Sequence, residues 1–258
     1  MPGLVNPYVK FDNYKDKYQH IKLERRDGIV QMTIHTKGDT LKFSSLFHTE
    51  ICDAFTNLGA DHDNKALIVT GAGNEFCTSV DIESFSDSSH EATARIHWEG
   101  RKMLTSLLDM EVPMIGAVNG PATVHAELGV MCDVVLCAQD ATFADHPHFP
   151  AGVVPGDGVH VVWQHILGPN RGRYFMLMGQ VIPAQEALAL GIVNEVLPRD
   201  QLLPRAWQVA HTLLEKPLLA VRYARLVLNQ NYRRLMLNDL GYGLAVEMMG
   251  TSSLRDRG

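Results

Sequence analysis

Short apolar strands that alternate with helices constrain the fold of this chain more than any other feature. Ala66–Thr70, Met114–Val118 and Val134–Ala138 are almost wholly apolar runs of strand length. Strands covered by helices on both faces read as continuous apolar runs, whereas half-exposed strands alternate polar and apolar residues. The pattern therefore predicts an α/β fold with largely parallel pairing. Apolar residues at helical spacing predict helices over Ser45–Leu58, about Glu91–Asp109, and Glu127–Cys132.

The chain before the first apolar run predicts an antiparallel hairpin. His20–Glu24 and Ile29–His35 are strand-like, and the second run alternates polar and apolar residues. Arg25–Gly28 joins them and ends in Asp-Gly, a pair that favours tight hairpin turns. Residues 1–18 are polar and aromatic without clear periodicity, which is typical of an arm outside a sheet.

The last quarter of the chain has a helical pattern. Beyond residue 196, the spacing of apolar residues predicts three helices, over Leu202–Leu214, Leu218–Asn229 and Tyr232–Met249. We interpret the chain as an α/β core over residues 1–197 and a helical region over residues 198–258. This region is expected to pack on the core or on a neighbouring subunit rather than to fold independently.

Composition and charge exclude several classes of protein. The 258 residues are 46% apolar and 20% charged, close to globular averages, so disordered, collagen-like and coiled-coil chains are excluded. A net charge of −6 argues against nucleic acid or an anionic membrane as the main partner. The four cysteines form no C-x-x-C pair, as expected for buried thiols in a reducing compartment. Because neither a secretory segment nor a membrane-length apolar run is found, we expect a soluble, cytoplasmic protein.

Common catalytic and metal-binding motifs are missing. The sequence has no G-x-S-x-G nucleophile elbow, no G-x-x-x-x-G-K-[ST] phosphate loop and no H-E-x-x-H zinc motif. His146 and His148 form an H-x-H pair that could bind a metal, but residues two apart share a face only on a strand. Pro147 argues against a regular strand, so we expect no metal site. The other nearby candidate ligands are Asp145, Asp157 and His160.

His148 and Asp157 are candidates for an acid–base pair. Asp157 lies nine residues after His148 and is flanked by Gly156 and Gly158, so the backbone is expected to turn sharply there. One interpretation makes Asp157 an ordinary turn residue, since aspartate is common in turns with glycine and proline. In the other, the turn carries Asp157 back to orient the histidine, as in an acid–base dyad.

Three further polar residues stand at positions that suggest a buried or site-facing side chain. His125 follows an apolar strand and a Gly-Pro break, the part of an α/β sheet where ligands tend to bind. Glu247 falls on the apolar stripe of the last helix, and His48 on that of the helix beginning at Ser45. Burying a carboxylate is costly unless it is paired. Taken alone, each of these side chains fits a structural role better than a catalytic one.

Several segments resemble the crotonase (enoyl-CoA hydratase/isomerase) superfamily. The resemblance covers roughly residues 20–230 and rests on three stretches in the family's order, namely Asn119–Asp133, Phe143–Gly158 and Met178–Val196. It implies a crotonase-like spiral of stacked ββα units, followed by a helical C-terminal region for trimerisation.

The chain departs from the family pattern where relatives bind coenzyme A thioesters. The resemblance places oxyanion-binding N–H groups near Val80 and in a glycine-rich run after Asn-Gly, but here that run contains His125. Glu83 stands where a basic residue is frequent, and His148 where hydratases carry a catalytic glutamate. These departures argue against a CoA thioester as the substrate.

Within the superfamily, this combination resembles the β-diketone hydrolases, which cleave a C–C bond between two carbonyls. The segments that carry the resemblance are Val153–Gly158, Val161–Trp163, Asn170–Phe175 and Leu202–Trp207. The resemblance implies a site of five polar residues: His48, His125, His148, Asp157 and Glu247.

The implied reaction is a retro-Claisen hydrolysis that needs no cofactor. Water adds to one carbonyl, and the breaking C–C bond leaves an enolate on the other. His148 is assigned as the base, with Asp157 holding its tautomer, because imidazole titrates near neutral pH. His125 would donate to the enolate oxygen. The roles of His48 and Glu247 stay open between positioning the water, a carbonyl or His148.

A small diketone also needs an apolar pocket. Val80, Phe43, Phe85 and Trp98 are candidates for substrate contacts, although ordinary core aromatics would show the same pattern. We expect assembly as a homotrimer or a dimer of trimers. Two other functions stay open: a CoA-thioester hydratase, isomerase or hydrolase of the same fold, and a non-catalytic binding subunit.

Overall fold

Strands and helices alternate along nearly the whole chain. The structure, a computed structural model, describes residues 9–255, with side chains through residue 250. In this described part the strands are, in chain order, β1 (Ile21–Arg26), β2 (Ile29–Ile34), β3 (Leu41–Phe43), β4 (Ala66–Gly71), β5 (Cys77–Val80), β6 (Met114–Val118), β7 (Val134–Ala138), β8 (Thr142–Phe143), β9 (Ile182–Pro183) and β10 (Glu195–Leu197).

Helices connect most of these strands and also form the last quarter of the described chain. They are α1 (Phe11–Tyr14), α2 (Ser45–Ala60), α3 (His90–Asp109), α4 (Glu127–Val130), α5 (Val159–Leu167), α6 (Pro169–Met178), α7 (Ala184–Ala189), α8 (Arg199–Leu214) and α9 (Leu218–Arg255). Short 3₁₀ turns lie at Ile82–Phe85 and Phe149–Ala151. The fold is therefore α/β, as predicted.

The main sheet has six strands in the order β1-β2-β4-β6-β7-β10. Only the β1–β2 pair is antiparallel, and the other neighbours are parallel. The predicted hairpin is confirmed, with Asp27 and Gly28 at φ angles of 55° and 86°. Two positive φ angles make a turn whose twist matches that of the flanking strands.

Helices cover both faces of this sheet, which explains the continuous apolar runs. Within β4, Leu67 and Val69 join the large cluster that also contains buried residues of α2 and α3. Ala66 and Ile68 point the other way, into a smaller cluster with α8. Each face of a strand thus meets its own apolar layer.

A second, smaller layer was not predicted. β3 pairs with β5 in parallel, and β8 pairs with β9 in antiparallel orientation. Ala122 forms isolated bridges to Cys77 and to Phe143, and so links the two pairs. These short strands lie in sequence beside the candidate site residues, and they place Phe43, Val80 and the chain before His125 next to one another.

The ends of the described chain differ from expectation. Residues 1–8 of the predicted arm lie outside the described residues, but Tyr14 is buried and donates to Asp61 at 2.9 Å. The two predicted C-terminal helices are one continuous helix, α9. Proline is absent between Leu218 and Arg255, so nothing in that segment forces the helix to end.

Two expectations from the sequence concern the cysteines and the length of apolar segments. Cys52, Cys77, Cys132 and Cys137 are free and buried, as the sequence predicted. Among the described residues, no helix is both long enough and apolar enough to span a bilayer.

Candidate active site

His148 lies between two carboxylates. Its Nδ1 is 2.6 Å from Oδ1 of Asp145, and its Nε2 is 3.3 Å from Oδ2 of Asp157. The histidine is only 5% exposed and Asp145 only 4%. An ionised carboxylate can only accept, so the contact with Asp145 places a proton on Nδ1 of His148. This geometry corrects the prediction that Asp157 holds the tautomer, because Asp145 occupies that side of the ring.

Two glycines let the loop before α5 present Asp157 to the histidine. A Cβ at Gly156 would lie 2.1 Å from the carbonyl oxygen of Gly243, so only glycine lets the loop approach α9 this closely. Gly158 has φ of 114°, in the left-handed region. The Asp157 Oδ1 atom accepts from the Val159 N–H at 3.4 Å. Asp157 is therefore a turn residue and also lies against His148, so the two interpretations of the sequence do not exclude each other.

His125 lies beside the same carboxylate in a strained backbone conformation. Its φ of 47° is unusual for a residue with a side chain. Its Nδ1 lies 2.5 Å from Oε1 of Glu127 and 3.8 Å from Oδ2 of Asp157. One oxygen of Asp157 therefore lies within 4 Å of nitrogen atoms on both His125 and His148.

An aromatic wall connects His125 with His48. The Phe43 ring stacks on His125 at 3.8 Å between centroids and meets the edge of His48 at 6.0 Å. Phe85 lies parallel to Phe43 at 6.3 Å, and Val80 is the register partner of Phe43 on β5. These three predicted substrate contacts therefore lie together beside the two histidines.

Trp98, the fourth predicted wall residue, lies on α3 next to Glu99 and is 60% exposed. Its place in the pocket stays a prediction. Glu99 itself is 2% exposed, and its Oε2 lies 2.8 Å from Nδ1 of His48. His48 thus has a buried carboxylate at Nδ1, as His125 and His148 do.

Charge pairing in this cluster favours imidazolium and carboxylate forms. Burial alone would lower the pKa of His148, but Asp157 and Asp145 together raise it well above its ordinary value. Burial likewise opposes the raised pKa of His125, which is due to Glu127 and Asp157. Burial would raise the pKa of Asp157, yet the two histidines hold it below its ordinary range.

Glu247 is a buried carboxyl in this cluster whose pKa is strongly raised. Burial and the neighbouring Asp157 raise its pKa to about 8, although His148 and His125 oppose the shift. Side-chain ligand atoms of Glu247, His148 and Asp157 all lie within 4.8 Å of one another. The structure therefore brings four of the five predicted polar residues into one cluster, and His48 contacts Phe43, whose ring also stacks on His125.

A known family model matches most of this chain. Residues 24–249 match the family model described as enoyl-CoA hydratase/isomerase. The chain belongs to the enoyl-CoA hydratase/isomerase (crotonase) family. Its α/β architecture with a C-terminal helix matches solved members of that family.

Proteins similar to this crotonase-family chain include hydratases and a β-diketone hydrolase. Crotonyl-CoA hydratase of Syntrophomonas wolfei is 29% identical over 232 residues, which cover 89% of this chain and 87% of the relative. An enoyl-CoA hydratase/isomerase from Mycobacterium paratuberculosis has a TM-score of 0.85 at 27% identity, covering 91% and 94% of the two chains. A β-diketone hydrolase from the cyanobacterium Anabaena, bound to (S)-3-oxocyclohexyl acetic acid, is 40% identical with a TM-score of 0.91. That alignment covers 96% of this chain and 98% of the hydrolase.

Among the described residues, the groups that could ligate a metal belong to this same cluster. His146 is exposed while His148 is buried, so the two rings of the H-x-H pair do not face one another. The ligand atoms that do converge belong to His148, Asp157 and Glu247, or to His125, Glu127 and Asp157. In both sets a carboxylate already faces a histidine that it holds in the charged form, so a cation would compete with that pairing.

Sequence reasoning missed the three carboxylates at the Nδ1 atoms, namely Asp145 as a histidine partner, Glu127 and Glu99. Glu99 carried a usable signal, because it lies seven residues after Ala92 and four before Met103 on the buried face of α3. The same logic had identified Glu247. Asp145 and Glu127 belong to irregular or very short segments, where no periodicity indicates a facing direction.

Proposed function

We propose that this crotonase-family chain hydrolyses a C–C bond between the two carbonyls of a cyclic or bicyclic β-diketone. One observation carries the proposal: a single oxygen of Asp157 lies 3.3 Å from His148 and 3.8 Å from His125. Such a cluster offers an acceptor for a proton from water and two charged donors for developing oxyanions.

The first step adds water to one carbonyl. We assign Asp157 as the proton acceptor of the dyad, in place of the neutral His148 imidazole that the sequence suggested, because carboxylates face both ring nitrogens of His148 and favour its charged form. As the water oxygen bonds the carbonyl carbon, its proton passes to Asp157. The oxygen of the attacked carbonyl gains the negative charge and accepts a hydrogen bond from Nε2 of His148.

The second step breaks the C–C bond. The oxyanion re-forms a C=O bond, and the electron pair of the breaking bond passes into an enolate on the second carbonyl. His125 donates to the enolate oxygen, at the place where hydratases of this family use a backbone N–H. The proton on Asp157 then returns to the enolate carbon. The products are a ketone and a carboxylic acid in one molecule, and one water is consumed.

Two resemblances support this substrate class over a thioester. The Anabaena β-diketone hydrolase matches almost the whole chain, and a keto acid is bound to it. The segments quoted above resemble 6-oxocamphor hydrolase, which implies a desymmetrising retro-Claisen reaction. His148 also stands where the resemblance places the catalytic glutamate of hydratases.

The test is an assay of the purified protein on a panel of cyclic 1,3-diketones, with chiral analysis of the keto acids. We expect turnover that His148→Ala lowers by about 10²–10³-fold, the usual cost of losing one donor to an oxyanion. His146→Ala is the matched control, because His146 is exposed and two residues away. No turnover of any diketone, with hydration of crotonyl-CoA instead, would overturn the proposal in favour of the hydratase relatives.

If the chain is a non-catalytic binding subunit, a third result is expected: it catalyses neither reaction, and its binding to a partner survives His148→Ala.

We further propose assembly as trimers or dimers of trimers in the cytoplasm. Val227 and Leu228 on α9 are 74% and 80% exposed in the single chain, as expected of an interface. Light scattering of the purified protein measures the subunit number directly.

A further inference from the structure

Glu99 is a buried carboxylate that the reaction above does not use. It lies within α3 at 2% exposure, where an unpaired charge would be strongly destabilising. Its Oε2 lies 2.8 Å from Nδ1 of His48, and its Oε1 accepts from the Thr49 hydroxyl at 2.7 Å. Arg95, one turn earlier on the same helix, lies 3.6 Å from Oε1. The contacts with His48 and Thr49 thus hold this carboxylate against α2, and Arg95 balances its charge.

The carboxylate stays ionised despite its burial. Burial raises the pKa of Glu99, but the hydrogen bonds from His48 and Thr49 outweigh that effect and lower it. An ionised carboxylate has no proton to donate, so the hydrogen in its bond with His48 must sit on Nδ1. In the neutral ring this leaves Nε2 as an acceptor.

The unprotonated second ring nitrogen, Nε2, limits what His48 can bind. A lone pair on Nε2 cannot bond to a carbonyl oxygen, since both are acceptors, but it can accept from a water molecule. The His48 ring meets Phe43 edge-on at 6.0 Å, and Phe43 stacks on His125 at 3.8 Å. His48 therefore faces the same aromatic wall as the enolate-binding histidine.

We propose that Glu99 is a positioning residue, which fixes His48 as the Nδ1–H tautomer so that Nε2 orients the attacking water. The inference deepens the proposed function and rests on it for the identity of the reaction. Of the roles left open for His48, it assigns the positioning of the water. The tautomer itself is a property of the free protein and can be observed without any substrate.

The experiment is ¹⁵N nuclear magnetic resonance of the histidine rings in the full chain, with His48→Gln to assign the signal. We expect the neutral His48 ring to carry its proton on Nδ1 and to leave Nε2 unprotonated. In Glu99→Gln, the carboxylate that can only accept is replaced by an amide that can also donate. This change should shift His48 towards the Nε2–H tautomer. Glu91→Gln is the control, since Glu91 is exposed on the same helix. It should leave the His48 signal unchanged.

Kinetics supply the second readout. Glu99→Gln should lower kcat about ten- to a hundredfold, the range known for partners that orient metal-binding histidines, with KM for the diketone little changed. An Nε2–H tautomer or an imidazolium at His48 in the unsubstituted protein would overturn the proposal, even where Glu99→Gln fails to fold. A shifted tautomer with unchanged kcat would overturn the water-orienting role.

Failure of the proposed function gives a different pattern. If the chain hydrolyses no diketone but His48 still depends on Glu99 for its tautomer, the positioning holds and the assigned reaction is wrong. If diketones are hydrolysed and the His48 tautomer ignores Glu99→Gln, the reaction holds and the positioning is wrong.

Discussion

Asp145 holds His148 from the side of the ring opposite Asp157, with Oδ1 only 2.6 Å from Nδ1. The aspartate lies three residues before the histidine and is itself 4% exposed. This short link orients the ring so that Nε2 faces Asp157 at 3.3 Å. His148 thus works within an Asp–His–Asp arrangement rather than a dyad.

Replacing Asp145 by Asn should lower the pKa of His148, because one of the two carboxylates that raise it is lost. The alkaline fall in kcat/KM for a diketone should move to lower pH, and kcat should drop about ten- to a hundredfold. His146→Ala serves again as the neighbouring control. An unchanged pH profile in Asp145→Asn contradicts the three-residue arrangement.

The pH profile of the unsubstituted enzyme tests which form of His148 is active. A neutral imidazole base would lose activity as the pH falls through its ordinary pKa of about 6.5. Because the raised pKa keeps His148 charged across this range, we expect kcat/KM to stay level from pH 7.5 down to about pH 5.5. A tenfold loss per pH unit below 6.5 would show that the neutral ring is the base.

Glu247 should make the folded protein less stable as the pH rises. Its pKa of about 8 lies above the ordinary value of 4.5, so the folded state holds the proton more tightly than the unfolded state. This contribution is fully present below pH 4.5 and is lost as the pH rises to about 8. Glu247→Gln removes it, so Tm should decline less between pH 4.5 and pH 8.5 than in the parent protein. Equal declines in both proteins would contradict the raised pKa.

The backbone conformation at His125 predicts that glycine at this position gives a more stable protein than alanine. Alanine usually stabilises a protein relative to glycine, but at a φ of 47° a side chain is strained and glycine is not. Both substitutions lose the contacts with Phe43 and Glu127 equally. We therefore expect His125→Gly to be more stable than His125→Ala by about 1 kcal/mol, measured by urea unfolding. Higher stability of the alanine variant would place the backbone outside the left-handed region.

Dialysis against EDTA should leave diketone hydrolysis unchanged, with metal content followed by mass spectrometry. Added Zn²⁺ should inhibit, because His148, Asp157 and Glu247 converge closely enough to bind it and their reacting atoms would be occupied. Loss of activity on dialysis with recovery on adding zinc would replace the cofactor-free reaction by a metal-assisted one.

The extent to which sequence predicted this fold follows from how apolar each segment is. β6 and β7 match their predicted bounds because every residue in β6, and nearly every one in β7, is buried. β8 and β9 have two residues each, too few to show any periodicity. The layer that brings Phe43 beside His125 was therefore invisible in the sequence, since it depends on contacts between distant segments.

For the candidate site, sequence patterns could identify unusual side chains but not their partners. His48 and Glu247 were noticed because a polar group on an apolar stripe needs a reason to be buried. Glu99 satisfies the same criterion and could have been predicted to face a hydrogen-bond donor or a cation. The pairing of Asp145 with Nδ1 depends on loop conformation, and no residue spacing encodes that.

The unbroken course of α9 has a mechanical consequence. Near its start, Arg225 is clamped by Asp133 at 2.7 Å and by carbonyl oxygens at the end of α3, including that of Leu107 at 3.2 Å. Glu247 follows 22 residues later, which corresponds to about 33 Å of helix at 1.5 Å per residue. Over this length of helix, a tilt of roughly 5° about Arg225 would displace the Glu247 backbone by about 3 Å. A hydrogen bond would break at such a displacement. The alignment of the carboxylate in the cluster is thus set partly by an arginine about 33 Å away along the same helix.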